Sequence, residues 1–530
     1  MPTKAKILVT DDLAEEGLKI LQAHPALDVT YKPGMKAPEI IAAIGEYEGL
    51  VIRSATTVTK EIVDAGKKLR VIGRAGIGVD NVDVPAATAR GVIVMNTPSG
   101  NATTTAEHAL ALIISMARRI PQATASMKAG KWEKKKFVGA ELTSKTLAVV
   151  GLGNIGKILA DRARGLKMNV IAFDPFLTAE VAEKLGVEKV ELEDAIKRAD
   201  FMSVHTPLTD QTRGLIGKDA FAKMKTGVFI VNCARGGIID EAALLEALES
   251  GKVAGAALDV FVEEPPPPDH PLVKHEKVIC TPHLGASTAE AQVKVAIEIA
   301  EQFGDFFANG QIKNSVNVPA LSADLLKQLK PYLQLAEKLG SLMGQLATGS
   351  VTGIDIRFDG DIAKYDVNPI ATAIVRGVLA PMMDLSVNYV NAPLIAKDRG
   401  IRVVTSKSPE AADFTNLVTV SLTGTNAHSV SGTILGRELP RITRFDDFEL
   451  EALPEGHILV LRNFDRPGVV GNLGTLLGKN QVNIARMQLG LNPRSHEAVS
   501  FINIDSAAPD SLLQEIGRIP NVISVRQVKL

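Results

Sequence analysis

The sequence predicts an α/β protein of several domains, with parallel sheets in its first part and a small α+β module at its end. Three observations predict it. Short β-branched apolar runs alternate with helical segments through roughly the first three hundred residues, the rhythm of βαβ units. The run Thr146–Val150 leads directly into Gly151-Leu152-Gly153-Asn154-Ile155-Gly156, which opens a helical segment. The last stretch alternates again, but with hairpin spacing between its middle strands.

Taken in order, the early strands are Lys6–Thr10, Gly49–Ile52, Val71–Gly73 and Val92–Met95. A second series comprises Thr146–Val150, Asn169–Phe173, Phe201–Val204, Val228–Val231, Gly255–Leu258 and Val278–Cys280. Between the two series, Thr103–Arg119 follows Thr/Ser/Asn capping chemistry and reads as a bridging helix that Pro121 closes. Thr288–Ala308 reads as a long helix and the polar, turn-rich Asn309–Pro319 as a linker. A mixed α and β region without a chemical motif follows, to about Leu453. The end resolves into strand His457–Arg462, helix Gly468–Lys479, strands Val482–Leu489 and Glu497–Ile504, helix Pro509–Arg518 and strand Val522–Val528, a ferredoxin-like βαββαβ order.

At 530 residues the chain exceeds one hydrophobic core, and 46% hydrophobic with 22% charged residues places it among ordered globular proteins. Lys+Arg 59 against Asp+Glu 60 leaves no global field to attract nucleic acid or an anionic membrane, so any anionic ligand needs a local basic site. Cys233 and Cys280 are the only cysteines and lack metal-ligand spacing, which predicts no disulfide framework and no metal. Met1–Thr10 lacks a charged region followed by an apolar stretch, and Leu110–Ala117 is too short to span a bilayer. A cytoplasmic protein is expected.

The glycine pattern has a specific physics. Gly151 makes the tight turn, Gly153 lets the backbone approach a pyrophosphate, Gly156 permits close helix packing, and the helix end carrying Asn154 and Ile155 favours the anion. Asp174 ends the next strand, where a carboxylate accepts ribose hydroxyls and repels a 2′-phosphate. Pro175 and Phe176 follow it in place of an arginine, so NAD is favoured over NADP.

In a doubly wound sheet, ligands sit beyond the carboxyl ends of the strands. Those ends carry His205-Thr206-Pro207, then Cys233-Ala234-Arg235-Gly236-Gly237, then Asp259 and Glu264, then Pro282-His283-Leu284-Gly285-Ala286. Oxidising a 2-hydroxy acid needs a base for the hydroxyl proton, a cation for the carboxylate and a nicotinamide for the hydride. His283 and Arg235 supply the first two, and Glu264 tunes the imidazole. Thr206, Pro207, Cys233, Ala234, Arg235, His283, Gly285 and Ala286 face the cofactor; Asp259 is either a further contact or a turn residue.

The blocks Gly73-Arg74-Ala75-Gly76-Ile77-Gly78-Val79-Asp80-Asn81, Gly151–Gly156, Asn232–Gly237 and Thr281–Ser287 resemble those of the D-isomer-specific 2-hydroxyacid dehydrogenases, over residues 1 to about 315. The resemblance implies a catalytic triad of Arg235, Glu264 and His283. It also implies a flavodoxin-like substrate domain from residues 1–98 and 285–315, with a Rossmann-type NAD domain, 99–284, inserted into it. Ile77 would lie near the nicotinamide, at a position where many relatives have Thr.

Arg53-Ser54-Ala55, and Arg74 beside Gly76, resemble substrate-site residues of the phosphoglycerate dehydrogenases in this family. Lys134, in the basic run around Trp132, is either a cation for a substrate phosphate or part of a solvated face, and stands where some relatives carry Arg. Asn463–Val469, Gly474–Leu477 and Val482–Ile484 resemble an ACT domain over 455–530; with an intervening domain over 318–453, this is the long-form layout. That layout implies oxidation of 3-phosphoglycerate and a dimer or tetramer. Asp465 and Asn483, with Asn463 in place of an aromatic, are either L-serine contacts or turn and cap residues. Another D-2-hydroxyacid dehydrogenase, or a dinucleotide sensor without turnover, is the alternative.

Overall fold

The first part of the chain builds two parallel sheets, and the crossing between them creates the cleft. The computed structural model describes residues 4–318, 323–383, 387–410, 413–425, 427–436 and 438–530. Strands β1 (Ala5–Val9), β2 (Leu27–Tyr31), β3 (Gly49–Ile52), β4 (Val71–Arg74) and β5 (Ile93–Met95) pair in parallel in the order β2-β1-β3-β4-β5. This is the flavodoxin-like order. β3 is buried throughout, as a near-continuous apolar run demands, whereas β2, at the edge, fully buries only Leu27. That polar edge strand escapes a reading based on apolar runs.

The second sheet contains β6 (Thr146–Val150), β7 (Asn169–Phe173), β8 (Glu188–Lys189), β9 (Phe201–Val204), β10 (Val228–Asn232), β11 (Val253–Leu258) and β12 (Val278–Cys280). Its order is β12-β11-β10-β9-β6-β7-β8, with every pairing parallel. The chain leaves β6 toward β7 and returns to β9 on the other side, so the crevice opens between the ends of β6 and β9.

Two helices carry the chain between the sheets. Ala102–Ala117 ends earlier than expected, because Arg119 turns left-handed (φ 52°) and Pro121 enters the first turn of a second helix, Ile120–Lys128. Pro121 therefore opens a helix rather than closing one, as its missing N–H permits at that position. The return helix, Ala289–Asn309, is capped by Thr288 Oγ1 accepting from Ala291 N (3.2 Å) and stops at Gly310 (φ 70°). Its Phe303 is fully buried against the first sheet, where a Cβ on Gly73 would come within 2.2 Å of the ring. The linker expected over Asn309–Pro319 begins inside this helix, and Pro319 lies outside the described residues.

The middle region, unreadable as chemistry, forms a mixed sheet of β13 (Val351–Gly360), β14 (Arg402–Ser408), β15 (Asn416–Gly424), β16 (Ser429–Leu435), β17 (Leu439–Phe445) and β18 (Phe448–Ala452). Helices Ala323–Leu346 and Asn368–Leu379 pack close enough that a Cβ on Gly340 would meet the Ile374 carbonyl at 2.3 Å. The final β19 (His457–Phe464), β20 (Ile484–Asn492), β21 (Glu497–Ile504) and β22 (Val522–Lys529) make the antiparallel sheet β20-β21-β19-β22. With helices Val469–Lys479 and Asp510–Gly517 this is the expected ferredoxin-like module. Its helix-free face shares a core with the middle sheet, where Phe445 meets Phe501 edge-on at 5.5 Å. Among the described residues, no helix is long and apolar enough to cross a membrane.

Candidate active site

Because β12, β11, β10 and β9 are neighbours in that order, their carboxyl ends present His283, Asp259 with Glu264, Arg235, and His205-Thr206 along one rim. His283 Nδ1 lies 2.7 Å from Glu264 Oε2, and Glu264 Oε1 accepts from Phe261 N at 3.1 Å. Burial alone would raise Glu264, but the hydrogen bonds from His283 and Phe261 N hold it below the ordinary carboxylate value. The Glu264 hydrogen bond raises the imidazole pKa above its usual value against the opposing effect of burial. With Nδ1 tied to the carboxylate, Nε2 is the nitrogen left to exchange a proton with a substrate.

The loop holding His283 is anchored by Asp259, whose side chain is only 1% exposed. Its Oδ1 accepts from Thr281 Oγ1 (2.6 Å), His108 Nε2 (3.2 Å) and Leu284 N (2.7 Å), and Oδ2 accepts from Gly285 N (2.8 Å). His283 N donates to the Asp259 carbonyl (3.0 Å). These bonds maintain a left-handed backbone at His283 (φ 53°), a conformation that costs a non-glycine residue on the order of 1–2 kcal/mol. Burial works to raise Asp259 as well, and the donors from His108, Thr281 and Leu284 outweigh it.

Arg235 reaches from the second sheet to the first. Its Nε donates to Asp80 Oδ2 at 2.7 Å and its Nη1 to the Ala234 carbonyl at 2.6 Å, while a Cβ on Gly78 would strike Nη2. Asn232 shapes the turn, its side chain accepting from Ala234 N and donating to the Arg235 carbonyl. Gly236 is required by close approach, since a Cβ there would stand 1.9 Å from the Phe261 carbonyl oxygen. Arg74 lies beside Arg235 with its Nε buried and unpartnered; burial first, then the Arg235 charge, lowers its pKa to about 10. Its guanidinium lies against Gly76 (φ 152°). Arg53 begins a turn organised by Asp11, which accepts from the backbone N–H groups of Arg53 (2.6 Å), Ala55 (3.2 Å) and Thr56 (3.1 Å). Ser54 lies exposed in that turn. Ile77 is held by its carbonyl, which accepts from Asn96 Nδ2.

The residues at the switch point fit a dinucleotide. Gly151 has φ 96° and packs against His205, where a Cβ would come within 2.8 Å of backbone; Gly156 packs against the Gly151 carbonyl. Nothing lies within 4 Å of a Cβ on Gly153, which caps helix Asn154–Gly165 without a side-chain hydrogen bond, so the loop is open at the helix amino end. Thr206 Oγ1 is buried and unpartnered beside this loop. Pro207 continues the turn and Ile155 the helix, while Asp174 Oδ2 and Oδ1 accept from Leu152 N and Phe176 N, both at 2.8 Å. Asp174 thus ties the glycine turn to its strand end while keeping acceptor capacity for a ribose. Cys233 is buried, which raises its thiol pKa far above the usual range, so it serves as packing beside Ala234. Ala286 follows Gly285 in the His283 loop, its carbonyl accepting from Thr288 N at 3.2 Å.

Two sets of expected residues are not brought to a site by one chain. Lys134 opens the short 3-10 turn Lys134–Phe137, and Phe137 lines a groove with Phe229, Gly255 and Lys277, near the amino ends of β10 to β12 and away from the cleft. Asp465 precedes helix Val469–Lys479 and Asn483 follows it, about 16 Å of helix apart. Asn463 is buried and donates to the Phe464 carbonyl (2.8 Å).

Residues 110–285 match the model for the D-isomer specific 2-hydroxyacid dehydrogenase NAD binding domain, and residues 328–446 that for the D-3-phosphoglycerate dehydrogenase intervening domain. A Synechocystis protein named D-3-phosphoglycerate dehydrogenase is 44% identical over 530 residues, covering 100% of this chain and 95% of its own. A Bacillus subtilis protein of the same name is 42% identical, covering 99% of each chain. The chain belongs to the D-3-phosphoglycerate dehydrogenase family. It is an NAD-dependent oxidoreductase of the 2-hydroxyacid dehydrogenase class. A glyoxylate reductase from Paecilomyes thermophila, 30% identical with a TM-score of 0.55, spends 99% of its length on 60% of this chain. The dehydrogenase fold is therefore common to enzymes with other names, and the intervening-domain match is what separates this family from them.

Sequence reasoning missed Asp80, Asp11, Asn81 and His108. Asn81 Nδ2 donates to the Arg53 and Thr56 carbonyls, tying the two substrate-side loops together. Asp80 and Asn81 fall inside the glycine-rich block with Arg74, which marks their neighbourhood in the chain but not their partners.

Proposed function

We propose that this chain oxidises 3-phospho-D-glycerate at C2 to 3-phosphooxypyruvate with NAD, the first step of the phosphorylated route to L-serine. The observation that carries the reading is the convergence of Arg74, with its unpartnered buried Nε, on Arg235 beside the His283–Glu264 pair. Adjacent guanidinium groups repel, and an anion with two charged ends relieves that repulsion better than a monoanionic acid such as lactate.

When bound, NAD supplies the acceptor for the hydride that leaves C2. Arg235 grips the substrate carboxylate and Asp80 aims its guanidinium, while Arg74 and Arg53, with the backbone at Gly76 and the Ser54 turn, receive the phosphate. His283 takes the hydroxyl proton at Nε2 as the C2–O bond becomes a carbonyl, and Glu264 stabilises the imidazolium so formed. In the reverse direction His283 returns the proton. Gly151, Gly153, Gly156 and Asp174 would hold the dinucleotide, and Asp259 anchors the His283 loop through Gly285 N.

The substrate domain comprises residues 1–98 and 285–315, the NAD domain 99–284, the intervening domain 318–453 and an ACT domain 455–530. L-serine is the proposed effector of the last, in a cytoplasmic homo-oligomer, dimer or tetramer. Because Asp465 and Asn483 lie at opposite ends of a helix, a serine site using both requires a second copy. Initial rates of NADH formation across D-2-hydroxy acids, with and without L-serine, test the reading. Preference for 3-phospho-D-glycerate is expected; preference for D-lactate or D-glycerate overturns the substrate while leaving the class.

A further inference from the structure

Helix Ala102–Ala117 touches the His283 loop along its first two turns. Thr104 Oγ1 lies 3.4 Å from Thr288 Oγ1, Thr105 Oγ1 donates to the Gly285 carbonyl at 3.0 Å, and His108 Nε2 sits between Asp259 Oδ1 (3.2 Å) and Thr281 Oγ1 (3.1 Å). Residues 104, 105 and 108 share one helix face, so the helix forms a second wall to the loop. His108 also stands beside a third strand end, because one of its ring nitrogens lies within 4.8 Å of both the Asp259 carboxylate and Cys233 Sγ, two residues before Arg235. One imidazole therefore adjoins the ends of β10, β11 and β12.

The requirement is geometric. His283 occupies a left-handed backbone position, and the groups restraining it are the Asp259 carbonyl and the loop N–H groups that the Asp259 carboxylate gathers. A carboxylate buried this deeply is kept in one orientation only if its remaining acceptor sites are filled. His108 and Thr281 fill Oδ1, and His108 reaches it from an element outside the loop. We propose that His108 is a positioning residue for the dehydrogenase reaction: by bridging Asp259 and Thr281 it holds the loop that aims His283 Nε2 at the substrate. It touches neither substrate nor cofactor in this role, which rests on the assignment of His283 as the base.

The bond, rather than the volume, is what the proposal requires. Glutamine places an N–H donor near the position of Nε2, whereas leucine fills the space with no polar atom. His108→Leu is expected to lower kcat by about tenfold to a hundredfold, as a misaimed base does, with the KM for 3-phospho-D-glycerate changed less than about threefold. His108→Gln is expected to recover kcat to within about threefold of wild type. Both are compared at equal thermal stability, read from melting curves. Wild-type turnover in His108→Leu, or equal losses in both variants, overturns the proposal. If the unaltered enzyme fails to oxidise 3-phospho-D-glycerate, the substrate assignment falls separately. The variants are then compared by imidazole nitrogen resonances in 15N-histidine-labelled protein: an averaged tautomer at His283 in His108→Leu upholds the positioning role, and an unchanged spectrum overturns it.

Discussion

At the scale of single residues, the pair His283–Glu264 makes a signed prediction about pH. The Glu264 hydrogen bond raises the imidazole pKa, and oxidation needs the neutral ring, so kcat/KM for oxidation climbs with pH through that raised value. Removing the carboxylate charge in Glu264→Gln lowers the His283 pKa, so the acidic limb moves to lower pH while the plateau falls by about a hundredfold or more. A limb that stays in place would assign it to another group. The two arginines separate by substrate. Arg235→Ala is expected to cost about a hundredfold or more in kcat with any 2-hydroxy acid, because it removes the carboxylate clamp. Arg74→Ala is expected to raise KM for the phosphorylated acid while leaving the KM for D-glycerate nearly unchanged; steady-state rates with both substrates decide it. His283, Glu264 and Arg235 could be picked out as candidates from the sequence because they follow the apolar runs of three neighbouring strands, and the structure sets them along one rim. Asp80 was not: its partner Arg235 is 155 residues away, on a different sheet, and no local pattern encodes that meeting.

At the scale of elements, the glycine turn and the β10 end depend on backbones approaching more closely than a side chain allows. Gly236 is the sharpest case, since its added Cβ would overlap the Phe261 carbonyl, a backbone atom that moves only with the β11 end and with Glu264 in the same turn. Gly236→Ala is expected to destabilise the protein by about 1–3 kcal/mol and to lower kcat together with stability, in contrast to Arg235→Ala, which spares the melting temperature. Calorimetry and rates on the same preparations check this. Periodicity found the apolar strands of both parallel sheets, but not β2, whose single fully buried residue leaves no run to detect. It misread Pro121 for a related reason: a proline ends one helix and begins another with the same local signature, and only the left-handed Arg119 before it decides between them. Lys134 shows the opposite limit. The composition of its basic segment suits a phosphate, yet the fold sends that segment toward the amino ends of the strands, and charge alone carries no direction.

At the scale of the whole molecule, the middle region read from sequence only as mixed α and β, and the structure shows that its core is completed by the final sheet. Val460, Val499, Phe501 and Val528, from the final sheet, share that core with Phe358, Val430, Phe445 and Phe448 of the middle sheet. Two truncations therefore differ in kind. A chain ending near Val318 retains both parallel sheets and the return helix with Phe303, and it matches in extent the fold that the glyoxylate reductase completes within 60% of this chain. It loses the hydrogen bond from Asn388 to the Gly91 carbonyl and the packing of Val390, both local contacts of the first sheet. It is expected to fold and to retain NAD-dependent turnover. A chain ending near Leu453 keeps the middle sheet but strips the apolar face that the final sheet covers, leaving Phe445 and Phe448 open to water. At about 25 cal/mol per Å² of apolar area, uncovering several large side chains costs more than a marginally stable unit can absorb, so this longer product is expected to aggregate or unfold. Solubility, melting and NADH formation for the two chains settle the matter. The reverse ranking, with the longer chain the sounder, would show that the middle sheet closes its core without the last one.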